Sequence, residues 1–309
     1  MKTDQIHTIL GAGGTIGKEL AVQLNQLGKT VRVAGRNPTK VNTNDEVVVA
    51  NAFNLNEVRT AVKGSEVVYL TLGLQYNIKV WQHEWPQIMD NTIIACQENG
   101  ARLVFFDNVY MYGKVAGWMT EETPFNPCSK KGEVRAKIAS KLLREMNKGN
   151  IQALIARSAD FYGAEAVNTF VLPMVFTKLK SGGKANWLGN DKVAHSMTYA
   201  PDASKAVALL GTSPEAFGQT WHLPTHRDAL NGQEFIREVA AVYGVKPNYS
   251  NLSRWMMHMA GWFNPLVKES IEMMYQYEFE YLFSSSKFEN AFFAPVSYHE
   301  GILATAKGI

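Results

Sequence analysis

The chain has 309 residues, 46% hydrophobic and 19% charged, enough to bury a full core in one large α/β domain or in a domain with a smaller lobe. Its net charge of +3 is scattered along the sequence, which leaves no basic stripe for nucleic acid. Two cysteines, Cys96 and Cys128, without metal-ligand spacing exclude a disulfide framework and a structural zinc site and suit a reducing compartment.

The first residues lead directly into an apolar run, so no signal peptide is expected, and no apolar stretch approaches the roughly 20 residues of a membrane span. The expectation is a cytoplasmic protein with neither nucleic-acid nor membrane partners. Strands are predicted at Ile6–Leu10, Thr30–Ala34, Val47–Ala50, Val67–Thr71, Leu103–Phe106 and Gln152–Ala156. Helices are predicted at Ile16–Leu27, Glu57–Val62, Glu84–Glu98 (closed by Gly100) and Gly132–Met146. Strands separated by helices of this length need crossover connections, so the sheet is parallel and doubly wound. A further apolar run, Thr220–Leu223, is placed to return to it. The second half is more irregular and concentrates Met and aromatics in Arg254–Phe263, read as a core-facing helix of a smaller lobe, with a lid or a docking surface as the alternatives. The domain expectation is a nucleotide-binding domain over 1–164, with 195–225 returning to it, and a smaller C-terminal substrate lobe from 165–194 and 226–309.

Gly11-Ala12-Gly13-Gly14-Thr15-Ile16-Gly17 lies between the first strand and the first helix. Glycines there permit tight dihedrals and close approach of backbone amides to a pyrophosphate. The helix start at Thr15 and Ile16 adds backbone N–H groups pointing out of the helix and a positive partial charge. The bland reading is a helix-entry turn without a ligand. At the end of the second strand, where an acidic residue would favour NAD, stand Gly35 and Arg36. A missing carboxylate and a guanidinium suit a 2′-phosphate, so the expected cofactor is NADP, with Lys40 near enough in sequence to help. Arg36 as a solvated loop charge is the alternative. Asn51 after the third strand and Gly73 after the fourth are also assigned to the cofactor, while the histidines lack any metal-ligand spacing.

The glycine turn, Asp107-Asn108-Val109-Tyr110-Met111-Tyr112-Gly113, Asp160-Phe161-Tyr162-Gly163 and His195–Asp202 together resemble the extended short-chain dehydrogenase/reductase superfamily, the group of NAD-dependent epimerases and dehydratases. The resemblance covers about residues 6 to 225. It implies a Rossmann-type fold, a nicotinamide cofactor contacted also by Tyr162, and a Ser/Thr, Tyr and Lys set in which the lysine bonds the nicotinamide ribose. Lys137 stands at the lysine position, but Glu133 replaces the tyrosine and Asn108 the hydroxyl residue. Asn108 could bond a carbonyl. Glu133 is either a base strengthened by burial or a surface partner of Lys137 one turn away. Tyr110-x-x-x-Lys114 imitates the catalytic spacing but contains Gly113 and lacks a helix; Tyr110 or Tyr112 alone is a substitute phenol.

Ligands of such sheets bind beyond the strands' carboxyl ends, among Gly73, Asn108 and Tyr162. Trp81, Trp85, Trp118 and Trp187 are mostly core, with one or two lining an apolar, aromatic or carbohydrate substrate. Lys192, Arg227 and Arg237 are the cations available to a nucleotide sugar. His195 and His222 are read as structural. The leading expectation is an NADP(H)-binding oxidoreductase or epimerase/dehydratase-like enzyme with a non-standard catalytic set; a catalytically silent NADP(H)-binding regulator or scaffold and a nucleotide-sugar epimerase are the alternatives. A homodimer is expected from the resemblance alone.

Overall fold

A computed structural model describes residues 5–309. Its chain contacts divide into two compact units. The first comprises residues up to Met111, Glu133–Ser158 and Ala203–Trp221; the second comprises Tyr112–Gly132, Ala159–Asp202 and His222–Ile309. The chain therefore passes back and forth between them, and 112–132, expected in the nucleotide-binding domain, goes with the second unit.

The first unit is built on β1 (Ile6–Leu10), α1 (Thr15–Gln26), β2 (Thr30–Gly35), β3 (Glu46–Val49), α2 (Leu55–Val62), β4 (Ser65–Leu70), α3 (Ile78–Asn99) and β5 (Arg102–Asp107). It is completed by α4 (Lys130–Asn147), β6 (Ala153–Arg157), α5 (Ala200–Thr212) and β7 (Thr220–His222), the two helices and β7 extending by a few residues into the second. The strands form one sheet of order β7-β6-β5-β4-β1-β2-β3. The β1–β2, β1–β4, β2–β3, β4–β5 and β5–β6 pairs are parallel. The α/β, doubly wound expectation holds, and Thr220–His222 does return to the sheet beside β6. Val67, Val68, Tyr69 and Leu70 of β4 and all of β6 are buried, as strands covered on both faces require. Edge strand β3 leaves Val47 and Val49 exposed. Strand order reverses between β1 and β4, where a ligand crevice opens in such sheets.

Two expectations are corrected. Helix α3 starts at Ile78 rather than Glu84, because Asn77 accepts from the N–H groups of Lys79 and Val80 at 2.9 and 3.3 Å and caps it there. Pro86 therefore sits inside the helix. The helix Arg254–Gly261 faces a core only through Met257, which packs in a small cluster with Leu188, Met274 and Tyr277; it buries Gly261 besides, while Trp255, Met259, Trp262 and Phe263 are exposed.

The second unit packs its own core around Tyr162, Phe176, Trp187, Phe235 and Tyr298. Capping boxes start its helices Gly232–Tyr243 (Asn231 with Glu234) and Tyr298–Gly308 (Ser297 with Glu300). Among the described residues, no helix is long and apolar enough to cross a membrane, and no cluster of three His, Cys, Asp or Glu is placed to hold a metal.

Candidate functional site

The glycines of the first turn separate into two kinds. Gly11 has φ +105°, donates its N–H to the Ala34 carbonyl at 3.0 Å, and would place a Cβ 2.8 Å from the Leu72 nitrogen. A Cβ on Gly17 would lie 2.7 Å from the Ala12 Cα. These two are glycine because the chain's own backbone crowds them. Gly13 and Gly14 are exposed; a Cβ would meet nothing at Gly13, and only the Gly11 carbonyl oxygen, in ordinary contact, at Gly14. Their bareness serves nothing in the fold and leaves backbone open to an approaching group. Gly14 is the N-cap of α1 and supplies no side-chain hydrogen bond, and the first turn carries no acidic residue. The amides of Thr15, Ile16 and Gly17 thus open the helix without a side-chain cap, in the arrangement that favours a phosphate. Ile16 and Gly17 are buried, so only their backbone serves there. The cradle fits a dinucleotide pyrophosphate.

At the end of β2, Arg36 is exposed and makes no hydrogen bond or ion pair among the described residues. A Cβ on Gly35 would meet nothing within 4 Å, so the strand end is open beside it. Lys40 instead donates to the Thr43 carbonyl at 3.1 Å. Asn51 opens the turn into α2: its side-chain oxygen accepts from the Phe53 N–H at 3.1 Å, and its own N–H donates to Glu57 at 2.7 Å. Gly73 is exposed beyond β4, next to the Leu72 backbone that Gly11 approaches.

Beyond β5, the side-chain oxygen of Asn108 accepts from the Tyr110 N–H at 3.1 Å, while its Nδ2 makes no hydrogen bond among the described residues. Tyr110 is half-buried and its ring stacks on Trp81, centroids 6.2 Å apart and planes 13° apart. Tyr112 is buried, and its hydroxyl pairs with His222 Nε2 at 2.8 Å, which corrects its reading as a substitute phenol. Tyr110–Tyr112 is a single 3-10 turn closed by Gly113 at φ +67°, and the Lys114 ammonium sits over the Phe279 ring, so the Tyr110/Lys114 imitation has no helix.

Helix α4 buries Val134, Arg135, Ile138, Ala139 and Leu142 and exposes Glu133 and Lys137. At about 100° per residue, those two share the face opposite the buried one. No ion pair joins them, so the expected i,i+4 bridge is not formed. Glu133 also lacks the burial on which its reading as a strengthened base depended. Tyr162 is corrected as well. It is enclosed in the second unit's core, stacked on Tyr298 and edge-on to Phe235, and burial pushes its phenol well above the ordinary range. A ring so enclosed is a packing residue, not a cofactor contact.

The residues missed in the sequence are Asp107 and Arg135. Asp107 closes β5 fully buried; its carboxylate accepts from Arg135 Nε at 2.7 Å, from Arg135 Nη2 and from the Asn108 N–H at 2.9 Å, with Arg157 Nε 3.7 Å away. The Arg135 guanidinium lies 4.5 Å over the Trp85 ring and 5.1 Å over Phe105. An acid ending an apolar strand requires a buried partner, and that was the available signal. His195 and His222 are structural, as expected. His195 is stacked between Tyr277 and Tyr281 at 4.5 Å each, and His222 lies on Phe283 at 4.1 Å. Trp81, Trp85 and Trp187 are buried, and Trp118 is exposed.

A family model described as "NAD dependent epimerase/dehydratase family" matches residues 7–223. Comparison with curated protein sequences finds no match. Among solved structures, a dTDP-glucose 4,6-dehydratase from Streptomyces venezuelae with NAD bound is 15% identical, covers 98% of this chain and 96% of its own, and has a TM-score of 0.81. A UDP-glucose 4-epimerase from Thermus thermophilus in complex with NAD is 17% identical over 98% of both chains, TM-score 0.80. A UDP-N-acetylglucosamine 4-epimerase from Bacillus cereus is 17% identical, covers 98% of this chain and 96% of its own, and has a TM-score of 0.77. At these identities the likeness establishes the fold.

Proposed function

The chain belongs to the NAD dependent epimerase/dehydratase family, and from that premise we propose that it is an NADP(H)-dependent enzyme of the oxidoreductase or epimerase type, acting on a small molecule with a non-standard catalytic set. The observation that carries the cofactor choice is Arg36, exposed beside the bare Gly35 and unpaired among the described residues.

A bound nicotinamide dinucleotide supplies a hydride donor or acceptor. The chain's own residues do the rest. The α1 amides of Thr15, Ile16 and Gly17 hold the pyrophosphate, and the Arg36 guanidinium holds the 2′-phosphate in a charge-assisted pair. Asn51 and Gly73 border the cofactor. Lys137 bonds the nicotinamide ribose. Asn108 Nδ2 donates to the substrate oxygen, as the family's hydroxyl would. The Tyr110 hydroxyl moves the proton at that oxygen in place of the absent helix tyrosine.

Titration with NADPH and NADH, followed by turnover against ketones, aldehydes and sugar nucleotides, tests this reading. Preference for NADPH, with turnover that disappears in Lys137→Ala and Tyr110→Phe, is the expected result; equal affinity for both cofactors would remove the NADP assignment. A second reading, a cofactor-binding regulator without hydride chemistry, is favoured by one observation: Glu133, at the family's tyrosine position, is exposed and has no partner among the described residues. Tight NADPH binding without turnover across the panel would select it. Nucleotide sugars belong in that panel because solved relatives are named for them. In this chain Lys192, Arg227 and Arg237, the cations the sequence offers for a diphosphate, are exposed.

A further inference from the structure

The carboxyl ends of β4 and β5 carry a set of groups that specifies a substrate class. Trp81, 6% exposed, is held by a hydrogen bond from its Nε1 to the Gln75 carbonyl at 3.1 Å. Half-buried Tyr110 stacks on one side of it, and half-buried Tyr76 meets it edge-on with centroids 5.7 Å apart. Asn108, two residues from Tyr110, has its side-chain oxygen committed to the turn and its Nδ2 uncommitted among the described residues.

The arrangement is fixed from beneath. Asp107 receives the Asn108 N–H and the Arg135 guanidinium, which lies against Trp85 and 6.0 Å from Trp81. The rings and the amide are thus set before a ligand arrives, and stacking on them costs little further ordering. The two guanidiniums at this edge are buried. Arg135 is 4% exposed and paired with Asp107, and Arg157 is 1% exposed with its Nε 3.7 Å from the same carboxylate. This edge therefore offers a ligand π surface and one neutral donor, its guanidiniums being buried.

From this we infer that the first unit binds an aromatic carbonyl compound, its ring against half-buried Tyr110, which the buried Trp81 backs, and its carbonyl oxygen accepting from Asn108 Nδ2. The inference deepens the proposed function and rests on its placement of the substrate beside Asn108. It assigns a class different from the nucleotide sugars named for the solved relatives.

Acetophenone and UDP-glucose are titrated into the full chain, with and without NADPH, by calorimetry. The expected result is acetophenone binding that Tyr110→Leu weakens roughly three- to tenfold, the worth of one stacked pair, and that Tyr110→Phe retains. Tighter binding of UDP-glucose than of acetophenone, or acetophenone affinity unchanged in Tyr110→Leu, overturns the inference. Should Tyr110→Leu fail to fold, the carbonyl stretching frequency of bound acetophenone decides. It falls in the native chain if Asn108 donates and recovers in Asn108→Ala, and an identical frequency in both overturns the assignment. NADPH affinity is read separately from its fluorescence. Failure there removes the cofactor reading, while acetophenone titration of the cofactor-free chain still tests the substrate class.

Discussion

A methyl group on Gly17 would press on the Gly11–Ala12 backbone, whereas one on Gly13 would enter open space. Gly17→Ala is therefore expected to destabilise the chain by about 1–3 kcal/mol, as overpacking does, lowering its thermal midpoint. Gly13→Ala should leave the stability within about 0.5 kcal/mol of native while weakening dinucleotide binding, because its methyl stands where the pyrophosphate approaches; unchanged NADPH affinity would count against that approach. At the end of β2, Arg36→Ala should weaken NADPH by about 1.5–3 kcal/mol, the worth of a hydrogen bond to a charged group, and NADH far less. The strand, the glycine run opening a helix and the basic residue after the second strand were all legible in the sequence. What the run could not display is why Gly11 must be bare, since that depends on Leu72, a residue far along the sequence. Asp107 and Arg135 escaped for the same reason: their bond joins positions 28 apart, on a strand and on a helix.

Among elements, α3 shows how one side chain sets a boundary. Asn77 accepts two N–H groups at the helix start, and Asn77→Ala should cost about 1 kcal/mol, measurable by denaturant titration. The strands were readable because buried parallel strands are continuous apolar runs, and their helices because glycine closes them, as Gly100 closes α3 with φ +63°. The start of α3 was not: the two N–H groups that Asn77 accepts open it at Ile78, six residues before Glu84. The helix Arg254–Gly261 misled more thoroughly. Its Met and Trp residues have the composition of a core face, yet four large side chains between 255 and 263 are more than half exposed. Composition registers the apolar surface; the tertiary fold decides whether anything covers it.

Across the whole molecule, acid stability should be governed in part by His7. It is buried in β1 with Nδ1 2.9 Å from the Tyr69 hydroxyl, and desolvation, aided by Lys29 and Arg102, lowers its pKa from 6.5 to about 3, although Glu66 lies 3.6 Å from Nε2. The folded value lies below the unfolded one, so the unfolded chain binds the proton first. The stability contributed by neutral His7 is complete above about pH 6.5 and is lost as pH falls towards 3. Unfolding free energies from denaturant titrations should fall through that window, by about 1.4 kcal/mol per pH unit at the steepest, and the fall should be shallower in His7→Gln. The interleaving of the two units has a consequence for synthesis. Residues up to 111 supply β1–β5, but β6 and β7 arrive only with 153–157 and 220–222, and the second unit awaits residues up to 309. A nascent chain thus holds an unfinished sheet edge until residues 220–222 have been made. Neither unit can be excised as one contiguous stretch, and a single protease nick within 112–132 should leave two fragments that still elute together.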